Sequence, residues 1–285
     1  MGVSRVYRHS YSRRWRLRFY GLHDRSLLRF RGDVGAPWCH NDLSDDIGQY
    51  EREFVRDVRG VPPRAASQYE RCEHARVAPR GPYFAYNQRG AQDPRYLRNP
   101  RPEEYDAILA ASGDIWRMSL APELDGALEL GRVLRAKGIL ASIAHSDALF
   151  EEAVEAFHNG YTHVTHLYSC TSSVVRRNAF RYAGVVEAAY WLDDMTVEII
   201  TDGVHLPKSL LQLVYKLKGA DRTVLITDSM RAAGMPEGRY VLGARDSGME
   251  VVVEDGVAKL TDRSAFAGSV ATADRCVRTM RRLAE

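Results

Sequence analysis

Cysteine is scarce in these 285 residues, and the four present (Cys39, Cys72, Cys170 and Cys276) never fall at CxxC spacing. That scatter argues against a disulfide framework or a zinc ribbon and suits free thiols in a reducing, cytoplasmic setting. No run of eighteen apolar residues occurs, so no membrane-spanning helix and no membrane partner are expected. The opening Met1-Gly-Val-Ser-Arg-Val-Tyr-Arg8 lacks the apolar stretch of a secretory signal. Lysine is missing from the first eighty residues, which hold sixteen arginines against ten acidic side chains. The same stretch lacks sustained periodicity of either kind, with Glu51–Val58 as its best helical candidate. A basic arm can signal nucleic-acid binding. Without a fold to present it, residues 1–80 are read instead as an irregular segment, and no nucleic-acid partner is expected.

From Gly81 the pattern changes. A loop rich in turn formers runs to Pro94, and Pro102 with Glu103 and Glu104 opens a helix as proline and acids do. A strand is expected over 115–120, an amphipathic helix over 126–137 stopped by Gly138, a strand over 139–145 and a helix over 148–157. A strand over 162–166 follows, then a polar loop and a helix near 185–192. Next come a strand over 196–202, a helix over 208–217 and a strand over 223–228. Such βα repeats argue for a parallel sheet with helical crossovers. A β excursion near 239–260, with Asp255-Gly256 as a tight turn, precedes a last helix over 272–283. The fold class is therefore α/β. About five βα units are visible over about 200 residues, against the eight units and about 250 residues of a closed barrel, so a partial (β/α)₈ barrel is expected.

Polar residues end four successive predicted strands: His145, His166, Asp202 with His205, and Asp228. The C-terminal rim of parallel strands is where such folds place their chemistry. Two neutral imidazoles there suit a divalent metal such as zinc, and Asp228 suits a general base toward a metal-bound water. His158 and His163 are read as surface or loop residues, and the aromatics of Phe180-Arg-Tyr182 as packing. Arg176 and Arg177 could grip a phosphate bidentately.

These residues extend into a longer set of motifs. Arg89-Gly-Ala-Gln-Asp-Pro-Arg-Tyr-Leu97, Leu120-Ala-Pro-Glu123, Ala144-His-Ser-Asp-Ala148, Thr165-His-Leu-Tyr168, Thr201-Asp-Gly-Val-His205, Leu225-Ile-Thr-Asp-Ser-Met-Arg-Ala-Ala-Gly234 and Phe266-Ala-Gly-Ser269 follow one another in order. In them the region from Gly81 onward resembles the N-acetylglucosamine-6-phosphate deacetylases, metal-dependent hydrolases of the amidohydrolase superfamily. The resemblance implies that His145 and His166 bind a divalent metal ion (zinc, iron or similar) and that Asp228 is the catalytic acid/base. It implies substrate contacts from Ala91, Gln92, Ser169, Cys170, Arg177, His205, Phe266, Ala267 and Gly268, with Arg177 and His205 meeting the 6-phosphate. It also implies an amino-sugar phosphate as substrate and a homodimer. Many family members have Asn-Ala where this chain has Ser169-Cys170. Rival readings are an amidohydrolase for a cyclic amide or nucleobase, and an inactive remnant.

One departure stands at the site itself. The family carries a metal-binding glutamate before Gly-Pro, in a His-Leu-Glu-Gly-Pro string, where this chain reads Ala78-Pro-Arg-Gly-Pro82. The family's His-x-His strand is also missing upstream. Codons for His74–Gly81 exist that yield Gly-Leu-His-Leu-Glu-Gly when read one base later. The same shift turns Arg8–Phe19 into a segment containing Thr-His-Thr-His. Residues 1–80 are therefore expected to be an out-of-frame or poorly folded stretch, and turnover of the chain is expected to be impaired. The resemblance further implies a last βα unit and β-sandwich strands beyond Glu285, so an incomplete C-terminal end.

Overall fold

Alternating strand and helix patterns set the architecture of the computed structural model, which describes residues 78–243 and 248–284. Helix α1 (Pro102–Ala111) leads into β1 (Arg117–Leu120), α2 (Ala127–Ala136), β2 (Leu140–Ile143), α3 (Phe150–His158) and β3 (Tyr161–Val164). After a hairpin of β4 (Val175–Arg177) and β5 (Phe180–Tyr182) come α4 (Val185–Trp191), β6 (Thr196–Ile200), α5 (Lys208–Lys218) and β7 (Thr223–Ile226). Strands β8 (Gly238–Leu242), β9 (Met249–Glu254), β10 (Val257–Leu260) and β11 (Phe266–Ser269) and helix α6 (Ala273–Ala284) complete the order. The candidate helix at 51–58, and the whole irregular segment up to residue 77, lie outside the described residues.

Five strands pair in the order β1-β2-β3-β6-β7, every pair parallel. The described residues do not close this sheet into a barrel. Its core is Leu130 and Leu134 of α2, Ala153 and Ala156 of α3, and Leu211 and Val214 of α5, packed with Ile143, Val164, Val197 and Ile199 of the strands. Each of the Leu, Ile and Val side chains contributes about 1.5–3 kcal/mol on full burial. Gly131 lets α2 approach β3: a Cβ there would lie 2.4 Å from the Tyr161 ring, whose hydroxyl donates to the Ala127 carbonyl at 2.6 Å.

Two expectations are corrected here. His163 is buried, at 1 % exposure, rather than a surface or loop residue. Its Nδ1 lies 2.6 Å from Thr196 Oγ1 and its Nε2 3.4 Å from Glu198, which also pairs with Arg117. A short strand buried on both faces has no polar side for its alternation to reveal. The second correction is the aromatic pair: Phe180 is 71 % exposed and Tyr182 39 %, because the expected polar loop is the β4–β5 hairpin. Asn178 and Ala179 turn it with φ of 47° and 70°, the left-handed pair that two-residue hairpins favour.

The β excursion forms a four-stranded antiparallel sheet, β11-β10-β9-β8, turned at Asp255 and Gly256 with φ of 53° and 73°. Val251, Val253, Ala258 and Ala267 give it a small core with Met230 and Ala232. Its strand β11 is stitched to the chain just after β7: Ser269 N–H donates to the Asp228 carbonyl at 2.7 Å, and Met230 N–H to the Ser269 carbonyl at 2.9 Å.

Candidate active site

Each polar strand end lies two residues past its strand. His145 follows β2, His166 follows β3, Asp202 follows β6 and Asp228 follows β7. Arg80 joins the row from the other edge, bridging in parallel to Ser119 of β1. His145, His166 and Asp228 have φ of 48°, 35° and 47°, the left-handed region that costs a side chain of this kind about 1 kcal/mol or more. Backbone strain therefore gathers where the polar groups meet.

Hydrogen bonds assign the imidazole protons. His145 Nδ1 lies 2.7 Å from the Gln88 carbonyl, which can only accept, so Nδ1 carries the hydrogen and Nε2 a lone pair. His166 Nε2 is 3.2 Å from His145 Nε2 and must therefore be the donor. The two rings meet edge to face at 4.8 Å, and Phe84 covers His145 at 4.4 Å. Burial lowers both imidazoles' proton affinity: His145 falls well below its ordinary value, with His166 and Arg80 adding to the effect, and His166 falls to about 4. Both rings are neutral at pH 7.

Arg80 fills the remaining corner. Its Nη1 donates to Asp228 Oδ1 and its Nη2 stands 3.5 Å from His145 Nε2. Burial raises the Asp228 carboxyl, but the Arg80 guanidinium, with His166 and His205 behind it, overrides this and holds it well below the carboxylate range. Asp228 is an ionised, paired carboxylate.

The surrounding shell positions these groups. Glu123 accepts from Ser146 Oγ at 2.7 Å and from the Asp147 N–H at 2.6 Å, pinning the loop after His145. His205 Nδ1 sits 2.7 Å from Asp202 Oδ2, and the same carboxylate accepts the Val204 and His205 N–H groups.

No family model matches the chain. Similarity to individual proteins is extensive. The N-acetylglucosamine-6-phosphate deacetylase of Lysinibacillus sphaericus is 38 % identical over 204 residues, 71 % of this chain and 50 % of that one. The N-acetylgalactosamine-6-phosphate deacetylase of Escherichia coli O157:H7 is 35 % identical over 202 residues, 70 % and 51 % of the two chains. Among solved structures, the N-acetylglucosamine-6-phosphate deacetylase of Thermotoga maritima superposes with a TM-score of 0.74 at 29 % identity, covering 84 % of this chain and 62 % of that one. The chain is a relative of the N-acetylglucosamine-6-phosphate deacetylases. It spans about half the length of the curated relatives it matches.

Measured against what that deacetylase resemblance implies, the described residues gather some of the candidates and not others. Cys170 lies against the same cup: a Cβ on Gly90 would fall 2.7 Å from its Sγ and 3.8 Å from His145 Cε1. Ser169 N–H donates to the His166 carbonyl at 2.8 Å, and Ala91 and Gln92 line a small cavity between the 81–97 loop and the antiparallel sheet. His205 meets Phe266 at a tilt with ring centroids 4.8 Å apart, while Ala267 is buried and Gly268 has φ of 86°, close against the Asp228 carbonyl. Arg177 stands apart on the exposed hairpin, its guanidinium over the Tyr182 ring. Phe84, Gln88 and Glu123 were missed as supporting residues; Glu123 alone had a signal, its place in Leu120-Ala-Pro-Glu123.

The donor set for a deacetylase metal is half present. Two Nε2 atoms 3.2 Å apart match the separation of about 3.3 Å that tetrahedral zinc at 2.0–2.1 Å imposes. Yet His166 Nδ1 is buried with no hydrogen-bond partner in good geometry among the described residues, whereas a metal-bound histidine ordinarily donates from its second nitrogen. Among the described residues no group of three or more His, Cys, Asp or Glu is placed to hold a metal ion. With Arg80 at the third corner, the residues present do not fit the metal.

Proposed function

We propose that the chain is a hexosamine-phosphate deacetylase homologue that retains the substrate cleft for N-acetylglucosamine 6-phosphate, or its galactosamine epimer, and hydrolyses it poorly. The observation that carries this reading is the convergence of His145, His166, His205 and Asp228 on one rim of a parallel sheet in a chain related to such deacetylases. Its site is cytoplasmic and its assembly a homodimer. The exposed hairpin suits Arg177 to reach a partner's cleft, where with His205 it meets the 6-phosphate.

Hydrolysis of the acetamide needs a base to take a proton from the attacking water and an acid to return one to the leaving amine, releasing acetate and the free amino sugar. On the resemblance to the deacetylases, both tasks are assigned to Asp228. Its ion pair with Arg80 works against the first, since an interaction that favours the carboxylate over its protonated form weakens it as a base. Neither His145 nor His166 replaces it. The lone pair on His145 Nε2 is taken by His166 and Arg80, and the proton on His166 Nε2 is committed to His145.

Calorimetric binding and acetate release with both sugar phosphates test the reading. Binding of one of them is expected, with turnover about a hundred- to a thousand-fold below an intact deacetylase, the loss typical when a main electrostatic stabiliser is removed. Near-normal turnover would overturn the impairment, and binding of neither sugar phosphate would overturn the substrate.

A further inference from the structure

Charge accounting at the rim explains how a site built for a metal persists with an arginine in it. A divalent metal with one glutamate ligand contributes two positive charges and one negative, a net of plus one. Arg80 contributes the same plus one from a single side chain, at the strand end where the family places that glutamate. His145, His166 and Asp228 therefore face an unchanged net charge, and each has a hydrogen-bond partner for the polar atom it turns toward the cup.

We propose that the Arg80 guanidinium is the resident cation of this site, standing in for metal and metal-binding carboxylate together, so that the chain folds around the cup without a divalent ion and excludes one.

Exclusion follows from where the lone pairs go. A metal bridging the two imidazoles needs both Nε2 lone pairs at once. The His145 lone pair is directed at His166 and Arg80, at 3.2 and 3.5 Å, and His166 Nε2 bears a hydrogen. Freeing His166 Nε2 would move that hydrogen to Nδ1, a buried atom with no hydrogen-bond partner in good geometry among the described residues. Asp228 is likewise engaged by Arg80. A metal would have to break the Arg80–Asp228 ion pair, displace a buried guanidinium at 9 % exposure and change a tautomer. In return it would gain two imidazoles and one carboxylate, without the glutamate.

The inference rests on the deacetylase reading only for the expectation that a metal belongs there. Its test reads metal occupancy, which is independent of sugar-phosphate binding. The full chain is dialysed against zinc or cobalt(II) and its metal content measured, with cobalt absorption reporting tetrahedral coordination. The native chain is expected to retain no stoichiometric metal and to keep its melting temperature in chelator. Arg80→Glu, folded by circular dichroism, is expected to take up about one equivalent with a tetrahedral cobalt spectrum. One equivalent bound at the histidine pair of the native chain would overturn the proposal, as would a folded Arg80→Glu chain that stays metal-free. Should Arg80→Glu fail to fold, imidazole nitrogen resonances of the native chain decide. Signals of a neutral Nδ1–H His145 and a neutral Nε2–H His166, unmoved by zinc, support the proposal, and zinc-induced shifts of both overturn it.

Discussion

Glu198 is the residue whose burial has the clearest consequence in solution. It is 2 % exposed on β6, paired with Arg117 from β1 and approached by His163 from β3, so the pair reaches across β2 and β3. Burial pushes its carboxyl up, but Arg117 and His163 more than reverse this and bring it down to about 2. The folded state therefore binds this proton less readily than the unfolded chain, whose glutamate titrates near 4.5. Its contribution is fully present above about pH 4.5 and is lost as the pH falls toward 2, at up to roughly 1.4 kcal/mol per pH unit. Urea unfolding between pH 5 and pH 3 should show that slope. Glu198→Gln should flatten it and lower stability at pH 7 by about 3–5 kcal/mol, since Arg117 is left buried without its counter-charge. An unchanged slope in the variant would mean that other carboxylates govern acid unfolding.

Among the elements, α4 shows how a helix of seven residues is held. It is too short for propensity to sustain it. Its C-terminal carbonyls are satisfied from outside: Lys218, at the end of α5 and 5 % exposed, donates from Nζ to Ala189 at 2.9 Å, Leu192 at 2.8 Å and Asp193 at 3.3 Å. Lys218→Met keeps the apolar stem and deletes the donor, so it should cost about 2–3 kcal/mol and appear as a lowered melting temperature with faster amide exchange in α4. This contact also marks where sequence reading stops. Helix α1 announces itself through Pro102 with Glu103 and Glu104 at its start, and α2 through its apolar stripe and the Gly138 that follows it. Strand ends at His145, His166 and Asp228 were visible as polar residues closing apolar runs. Lys218 as a cap, His163 inside the sheet and the β4–β5 hairpin were not, because each depends on a partner distant in sequence or on a left-handed turn at Asn178-Ala179 that lacks glycine. The tautomers of the histidine pair were equally out of reach, since the Gln88 carbonyl that sets them comes from a loop 57 residues away.

For the molecule as a whole, the fate of the cup turns on Arg80. Arg80 is two residues from the start of the described region, it bridges to β1, and it occupies the corner of the cup where the resemblance calls for a carboxylate. Two origins give this arrangement. In one, Arg80 is encoded and the cup has been converted to an internal cation. In the other, residues 1–80 are an out-of-frame reading, and a one-base shift near Gly81 restores His-Leu-Glu-Gly and, upstream, His-x-His. The lysine-free, arginine-rich composition of that stretch favours the second origin, since shifted reading of a GC-rich gene is rich in arginine codons. The expected outcome of sequencing the gene is CGA or AGA for Arg80 followed by the GGN of Gly81. Read one base later, the last two bases of that codon and the first base of the Gly81 codon form GAG, a glutamate codon, so the third base of the Arg80 codon must be A. Codons across His74–Gly81 incompatible with Gly-Leu-His-Leu-Glu-Gly in the shifted frame would end the out-of-frame proposal and leave Arg80 as a genuine residue of the site. Compatible codons throughout, at both His74–Gly81 and Arg8–Phe19, would instead make the 285-residue chain the altered form of a protein whose third metal ligand is a glutamate.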